Sequence, residues 1–400
     1  MRTHSSRVPS PVRAISLATL LTTCALPTCA QSSAPAAPPI TINAQVEANY
    51  TANFNKPFNG SNLYLYNTKE GQFSVNLAEI RVGKAATPES RTGFVVRLIE
   101  GEVRTLRNFN VGEFGGLPNV LEAYATFLAP VGGKDIKVDV GQFVTHVGYE
   151  TIDIGTNNFF SRNFLFQFPS PFYNAGVRAA YPVGPSTTVS GFVLNRYNGT
   201  NDTGNRDVAP GFQVAQTLSG GSSLILNGLY SRDNVTYDGT QQPGTAINQT
   251  NKSLGVLDLV YTGQFGPRFK VVAEGLYRFG KTVVPGSQNG TTQDVSYNVT
   301  GGALYLIATN RSGNVAALRG EYITQSKTNA GVIPSGDASK KPNISSITAS
   351  YELRSGLFPG MRTILEYRYD NANTEIFASK DANTFKKNQS TLTVGQVFAF

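Results

Sequence analysis

Apolar and polar positions alternate along much of this chain with a period of two, the repeat of a strand whose successive side chains point to opposite faces. In Tyr173 to Tyr181 one parity reads Tyr, Ala, Val, Ala, Tyr and the other Asn, Gly, Arg, Ala. Phe269, Val271, Ala273, Gly275, Tyr277 and Phe279 alternate with Lys270, Val272, Glu274, Leu276 and Arg278. Leu365, Tyr367 and Tyr369 are set against Glu366, Arg368 and Asp370. A strand with charges on one face and aromatics at the ends of the other fits a wall between lipid and a watery lumen. A soluble sandwich would turn the charged face to solvent and the aromatics into a core, so strand number, strand length and connections must decide.

Runs of about ten or more residues bounded by turn chemistry predict strands near 40 to 54, 72 to 83, 91 to 104, 117 to 129, 134 to 144 and 171 to 182. The series continues near 186 to 197, 206 to 218, 222 to 233, 251 to 262, 267 to 279, 293 to 309, 314 to 326, 342 to 354, 360 to 370 and 388 to 400, about sixteen in all. Compact turns at 130 to 133, 183 to 185, 219 to 221 and 310 to 313 alternate with longer polar segments at 55 to 71, 145 to 170, 234 to 250, 327 to 341 and 371 to 387. Short periplasmic turns and long external loops mark an outer-membrane barrel, and an even strand count leaves both termini on the periplasmic side. The expected fold is therefore all-β: one transmembrane antiparallel β-barrel of about sixteen strands over residues 40 to 400, with its third loop folded inward. In the last strand Leu392, Val394, Phe398 and Phe400 form an alternating row ending on an aromatic residue. Phe398 and Phe400 thereby resemble the signal by which barrel-assembly machinery recognises its clients.

Composition agrees: Gly 40, Pro 21, Tyr 18 and Phe 24 with only 15% charged residues describe many strands and turns. Beyond the first thirty residues no run approaches the eighteen apolar residues of a membrane helix. Those thirty read as a secretory signal: Arg2, Arg7 and Arg13, the apolar stretch Ala14 to Leu26, then Thr28-Cys29-Ala30, with cleavage expected between Ala30 and Gln31. A competing lipoprotein reading acylates Cys24 or Cys29, although Thr is a poor residue before a lipidated Cys. Both cysteines fall within this segment, so the mature chain has none. Residues 31 to 39 are an Ala/Pro-rich spacer. The net charge of +8 falls to +5 without the signal arginines and is spread along the chain, which does not suggest nucleic-acid binding.

The stretch after the fifth strand carries the densest pattern. Gly141-Gln142-Phe143, Gly148-Tyr149-Glu150, Ile152-Asp153 and Phe160-Ser161-Arg162-Asn163-Phe164-Leu165-Phe166, followed by Pro171 and Gly176-Val177, resemble the central motif of the beta-barrel porin type 2 family of Gram-negative bacteria. Many members carry Trp near the Ser-Arg step, where this sequence has Phe159 and Phe160. The resemblance implies an outer-membrane porin, set among lipid and lipopolysaccharide, that lets small hydrophilic solutes and ions diffuse passively. It also implies a homotrimer, which the sequence itself does not separate from a monomer. A loop of roughly 25 residues can fold back and narrow a barrel, as third loops of trimeric porins do. Glu150 and Asp153 would then bring negative charge to a constriction, with Arg162 beside them; alternatively both acids merely ion-pair with Arg162 to hold the loop. Arg97, Lys137, Arg178, Arg278 and Arg368 sit on the polar parity of their strands. They are candidates for a basic wall whose field would bias selectivity, or for plain solvated wall.

Catalysis is not expected. Beyond the signal there is one histidine, His146, and no Gly-x-Ser-x-Gly motif beside it. Without cysteines or a second histidine no metal site is expected, although acidic loops could bind calcium, and no cofactor is expected either. The Asn-x-Thr triplets at Asn198, Asn234, Asn248 and Asn298 read as polar turn residues. No plug domain is expected upstream, which argues against an energised transporter. Two other readings stand beside the porin: a non-conducting barrel whose surface loops bind a partner, as adhesin or receptor, and a soluble secreted β-sandwich or lectin-like protein that would extract without detergent.

Overall fold

A computed structural model describes residues 38–103, 119–199, 207–232, 236–237, 249–285, 292–328, 331–354 and 358–400; the expected signal segment and most of the spacer lie outside these residues. Sixteen strands make one antiparallel sheet: β1 Ile40–Asn53, β2 Phe73–Lys84, β3 Thr92–Glu100, β4 Val120–Val131, β5 Lys134–Val144, β6 Tyr173–Pro182, β7 Thr187–Leu194 and β8 Ala209–Thr217. They continue with β9 Ser223–Ser231, β10 Gln249–Phe265, β11 Phe269–Pro285, β12 Thr292–Thr309, β13 Val315–Gln325, β14 Asn343–Arg354, β15 Met361–Ala372 and β16 Asn388–Ala399. Each pairs with its neighbour in sequence, and β1 pairs with β16 over Gln45↔Ala399 to Asn53↔Thr391, so the sheet closes on itself. Closure leaves no edge strand with unpaired backbone groups. All sixteen predicted strands are present, displaced by a few residues at most at nearly every end. The 17- and 18-residue strands β10 to β12 are far longer than the eight to ten residues of β6 to β9.

The burial pattern is inverted relative to a soluble sandwich. Along β13, Val315, Ala317, Arg319, Glu321 and Ile323 are buried while Ala316, Leu318, Gly320 and Tyr322 are exposed. β15 does the same, burying Glu366, Arg368 and Asp370 and exposing Leu365, Tyr367 and Tyr369. The accessible face is thus the apolar one, continued by Leu257, Leu259, Leu304, Leu306, Ile347 and Leu392. Water would make that face a liability; hydrocarbon makes it the stable choice. Phe398 and Phe400 lie on this outward parity, and Phe400 is exposed. Tyr173, expected at the end of an outward row, is instead buried with Tyr66, Leu77, Phe166 and Phe172. It lies where the chain enters β6 from the long loop, and Gly199 N donates to its carbonyl.

Candidate functional site

Residues 145–172 join β5 to β6, and two glycines frame the junction. Gly141 and Gly176 face each other across the two strands at φ +139° and +156°. A Cβ at either would stand 2.2 Å from a backbone carbonyl oxygen, of Ala123 or Val193. Only glycine takes these positions. The motif glycines of the sequence therefore mark where neighbouring backbone comes too close for any side chain.

The loop organises itself before it meets the wall. Asn157 Nδ2 donates to the carbonyls of Thr151 (2.9 Å) and Asp153 (3.0 Å), while its Oδ1 accepts from Thr151 N. Asn163 caps the four-residue helix Phe164–Gln167, its side chain accepting from Phe166 N at 2.6 Å. Arg162 is buried and donates to the carbonyls of Thr151, Ile152 and Phe160, with Tyr66 4.9 Å beneath its guanidinium. It is an internal brace, not the ion-pair partner of Glu150 or Asp153, and it presents no charge to water.

The loop then meets inner-face side chains from widely separated strands. Wall carboxylates take its amides: Glu47 accepts from Ile154 N (2.6 Å), Glu366 from Phe160 N (2.7 Å) and Ser161 N (3.1 Å), and Glu321 from Phe164 N. Asp258 and Glu274 accept from Gly148 N and Tyr149 N. Wall guanidiniums take its carbonyls: Arg319 donates to Ser161 O (2.9 Å), Arg368 to Arg162 O (2.6 Å), Arg362 to Ile154 O (2.9 Å) and Arg278 to Phe168 O (3.3 Å). Hydrogen bonds to an ionised group contribute roughly 1.5–3 kcal/mol each. The wall is thus complementary to the loop's backbone more than to its side chains. Gly395 on β16 completes the fit, because a Cβ there would lie 2.0 Å from the Phe160 ring.

The predicted acids have different fates. Glu150 is 3% exposed, held by Arg319 at 2.7 Å, Asn163 N at 2.7 Å and Tyr305 OH at 3.2 Å. It is a buried anchor, so its charge does not meet water. Asp153 pairs with Arg97 at 2.8 Å, and its side chain retains 20% exposure. Beside it Thr151, Gly155 and Thr156 are exposed, forming the open edge of the loop.

All five predicted basic residues lie on the inner parity, in different settings. Arg97 is buried among Glu79, Glu122 and Asp153. Arg178 pairs with Asp139 at 2.7 Å and stacks 4.5 Å over Phe143. Lys137 is 3.5 Å from the same Asp139 and half exposed. Arg278 donates to Tyr297 as well as to Phe168 O, and Arg368 is fully buried against Asp370, Glu321 and the loop. Sequence reasoning passed over Arg319 and Arg81, although both obey the parity rule used for the others. Arg81 faces Arg97 across β2 and β3, is exposed, and has no carboxylate within 4 Å among the described residues.

A second segment, also missed, comes down from the loop between β1 and β2. Leu63, Tyr64, Leu65 and Tyr66 are all buried; Tyr64 OH donates to Asp370 at 2.8 Å and its ring lies 4.7 Å from the Arg368 guanidinium. Gln167 donates to Leu63 O, joining the two loops. Four apolar residues in a row within a polar loop are the signal that could have found it. Burial, with Asp370 adding to it, holds the Tyr64 phenol well above its ordinary pKa. His146 stacks on Phe192 with ring centroids 3.9 Å apart, and burial pushes its pKa down to about 4. Its Nε2 lies 3.3 Å from Gly228 O, and among the described residues no nucleophile is bonded to it. Among the described residues no group of three His, Cys, Asp or Glu side chains could hold a metal ion.

Over residues 39–400 the chain matches the beta-barrel porin-2, OmpL-like family. No curated protein matches it in sequence. Among solved structures it is similar to an anion-selective porin from Comamonas acidovorans, at 12% identity over 90% of this chain and 99% of that one (TM-score 0.54). The outer membrane channel DcaP of Acinetobacter baumannii is similar at 12% identity over 90% and 97% (TM-score 0.55). The trimer form of OmpT, an outer membrane protein of Vibrio cholerae, is similar at 10% identity over 91% and 100% (TM-score 0.51). At these identities the likeness concerns the fold.

Proposed function

Since the chain belongs to the beta-barrel porin-2, OmpL-like family and is an outer-membrane β-barrel porin, we propose that it passes small hydrophilic solutes and ions by passive diffusion through a lumen narrowed by residues 145–172. The observation that carries this reading is the docking of that loop onto inner-face side chains of β1, β3, β10, β11, β13 and β15. In this reading a loop tied across the barrel at so many points directs a solute past its open edge at Thr151, Gly155 and Thr156. Selectivity then follows the charges water can reach, among them Asp153 on the loop and Arg81, Lys137 and Arg178 on the wall, while Glu150 and Arg162 hold the loop's shape. Passage is unassisted, and no step of it calls on catalysis or on a cofactor. The likeness to a trimeric outer-membrane protein supports a homotrimer, and the signal segment 1–30 would direct export.

The test is single-channel conductance of the refolded chain in a planar bilayer, with reversal potentials in a salt gradient. Asp153→Asn is expected to move selectivity toward anions and Arg81→Gln toward cations, whereas Glu150→Gln leaves the reversal potential in place. Selectivity following Glu150 alone would overturn the assignment of roles. A folded barrel that never conducts would move the function to its surface loops.

A further inference from the structure

On the outer surface, at the loop ends of β10 to β13, lies a cleft of about 670 Å³. Its floor is aromatic, Tyr277 and Phe279, and three lysines border it: Lys281 of β11 and Lys327 and Lys341 from the two ends of the loop joining β13 to β14. We propose that this cleft binds the phosphorylated headgroup of an outer-leaflet glycolipid, with the lysines on its phosphates and the acyl chains running down the wall below. The proposal rests on the outer-membrane reading and does not depend on conduction.

Register places the parts at one level. Ser253, Lys281 and Ser296 are direct neighbours across β10, β11 and β12, and Asn298 stands opposite Phe279 one step nearer the membrane. Two residues below Phe279 on the same face is exposed Tyr277 with exposed Leu257 directly opposite it, and below them run Leu259, Leu304 and Leu306, all exposed. Reading from the bilayer outward, the wall is aliphatic, then aromatic, then hydroxyl and amide, then cationic. Acyl chain, sugar and phosphate follow in that order in a phosphoglycolipid, and a free anion would have no use for the aromatic and aliphatic part. Lys281 shares its charge with Asp294 at 3.4 Å. Lys327 and Lys341 are exposed, and among the described residues neither has a carboxylate within 4 Å. Neighbouring Lys340, by contrast, is paired with Asp337 at 3.2 Å. Two exposed cations without a carboxylate partner at the top of a lipid-facing wall suit the phosphates of a lipid headgroup.

The experiment compares retention of bis-phosphorylated and dephosphorylated lipid A by the full barrel in mixed nanodiscs, for wild type and for Lys281→Gln/Lys327→Gln/Lys341→Gln. About fivefold weaker binding is expected per lysine removed, with Lys340→Gln unchanged as control. Wild type should also favour the phosphorylated lipid at least tenfold, a comparison that requires no variant. Equal binding of the two lipids, an unaffected triple variant, or equal competition by millimolar inorganic phosphate would overturn the proposal. Conductance measured on the same preparations separates this failure from failure of the porin reading.

Discussion

Glu366→Gln probes the way the wall holds the loop. Glu366 is 1% exposed, and its carboxylate accepts from Phe160 N at 2.7 Å and Ser161 N at 3.1 and 3.2 Å. It is on a strand shared with Arg368, which takes Arg162 O and Ser161 Oγ. An amide of the same shape keeps one oxygen acceptor but turns an NH2 group toward a backbone donor, and it removes the charge that strengthened the other bonds. Losing one charge-assisted bond and leaving one amide unmatched costs about 2–3 kcal/mol. The cost falls on the docked loop, because β15 keeps all its ladder bonds to β14 and β16. Hydrogen exchange resolves this: amides 160–164 are expected to exchange roughly thirty- to a hundred-and-sixtyfold faster in the variant while those of β15 do not change. In the planar bilayer the same variant should flicker between levels. Unchanged exchange at Phe160 and Ser161 would refute the claim that wall carboxylates pin this loop. Uniformly faster exchange over the whole barrel would instead make Glu366 a residue of barrel stability.

Gly395→Ala is expected to push Phe160 off β16, since the new Cβ meets its ring at 2.0 Å. The overpacking costs about 1–3 kcal/mol and is relieved in Gly395→Ala/Phe160→Ala, as thermal unfolding of the heat-modifiable form would register; equal stability of wild type and the glycine variant would contradict the docking. His146 gives the pH prediction. Its folded pKa of about 4 lies below its unfolded value, so its neutral ring supports the fold above about pH 6.5, and that support is lost as pH falls toward 4. The urea stability of wild type relative to His146→Gln should therefore fall by about 2 kcal/mol between pH 6.5 and 4.5, and parallel curves for the two proteins would refute it.

Strand positions were legible because alternation is a local property, and a wall between lipid and polar interior enforces it on nearly every strand. Arg319 and Glu321 alternate with Leu318 and Tyr322 as plainly as Arg368 alternates with Tyr367 and Tyr369. The parity rule could have found Arg319 and Arg81; what it could not supply was their state. Parity says that a side chain points inward, but whether it meets water or a docked loop depends on the path of residues far away in sequence. Glu150 and Arg368 are 218 positions apart, yet both are sealed by the same turn of backbone at 160–163.

That turn explains why Glu150 and Asp153 do not ion-pair with Arg162, the pairing that residue types and sequence proximity suggest. Pairing acids with the nearest base in sequence assumes that side chains recognise side chains. Here the wall's carboxylates Glu47, Glu321 and Glu366 bind amides, and its arginines bind carbonyls, so the loop's recognition surface is written in backbone groups that every residue possesses. Its identity-bearing positions are those that shape the path: Asn157 and Asn163 closing turns, Arg162 bracing them, and Gly141 and Gly176 where the flanking strands leave no room for a side chain. It follows that Glu366 and Gly395, which touch no solute in this reading, are as tightly constrained by the docked backbone as the residues of the loop itself.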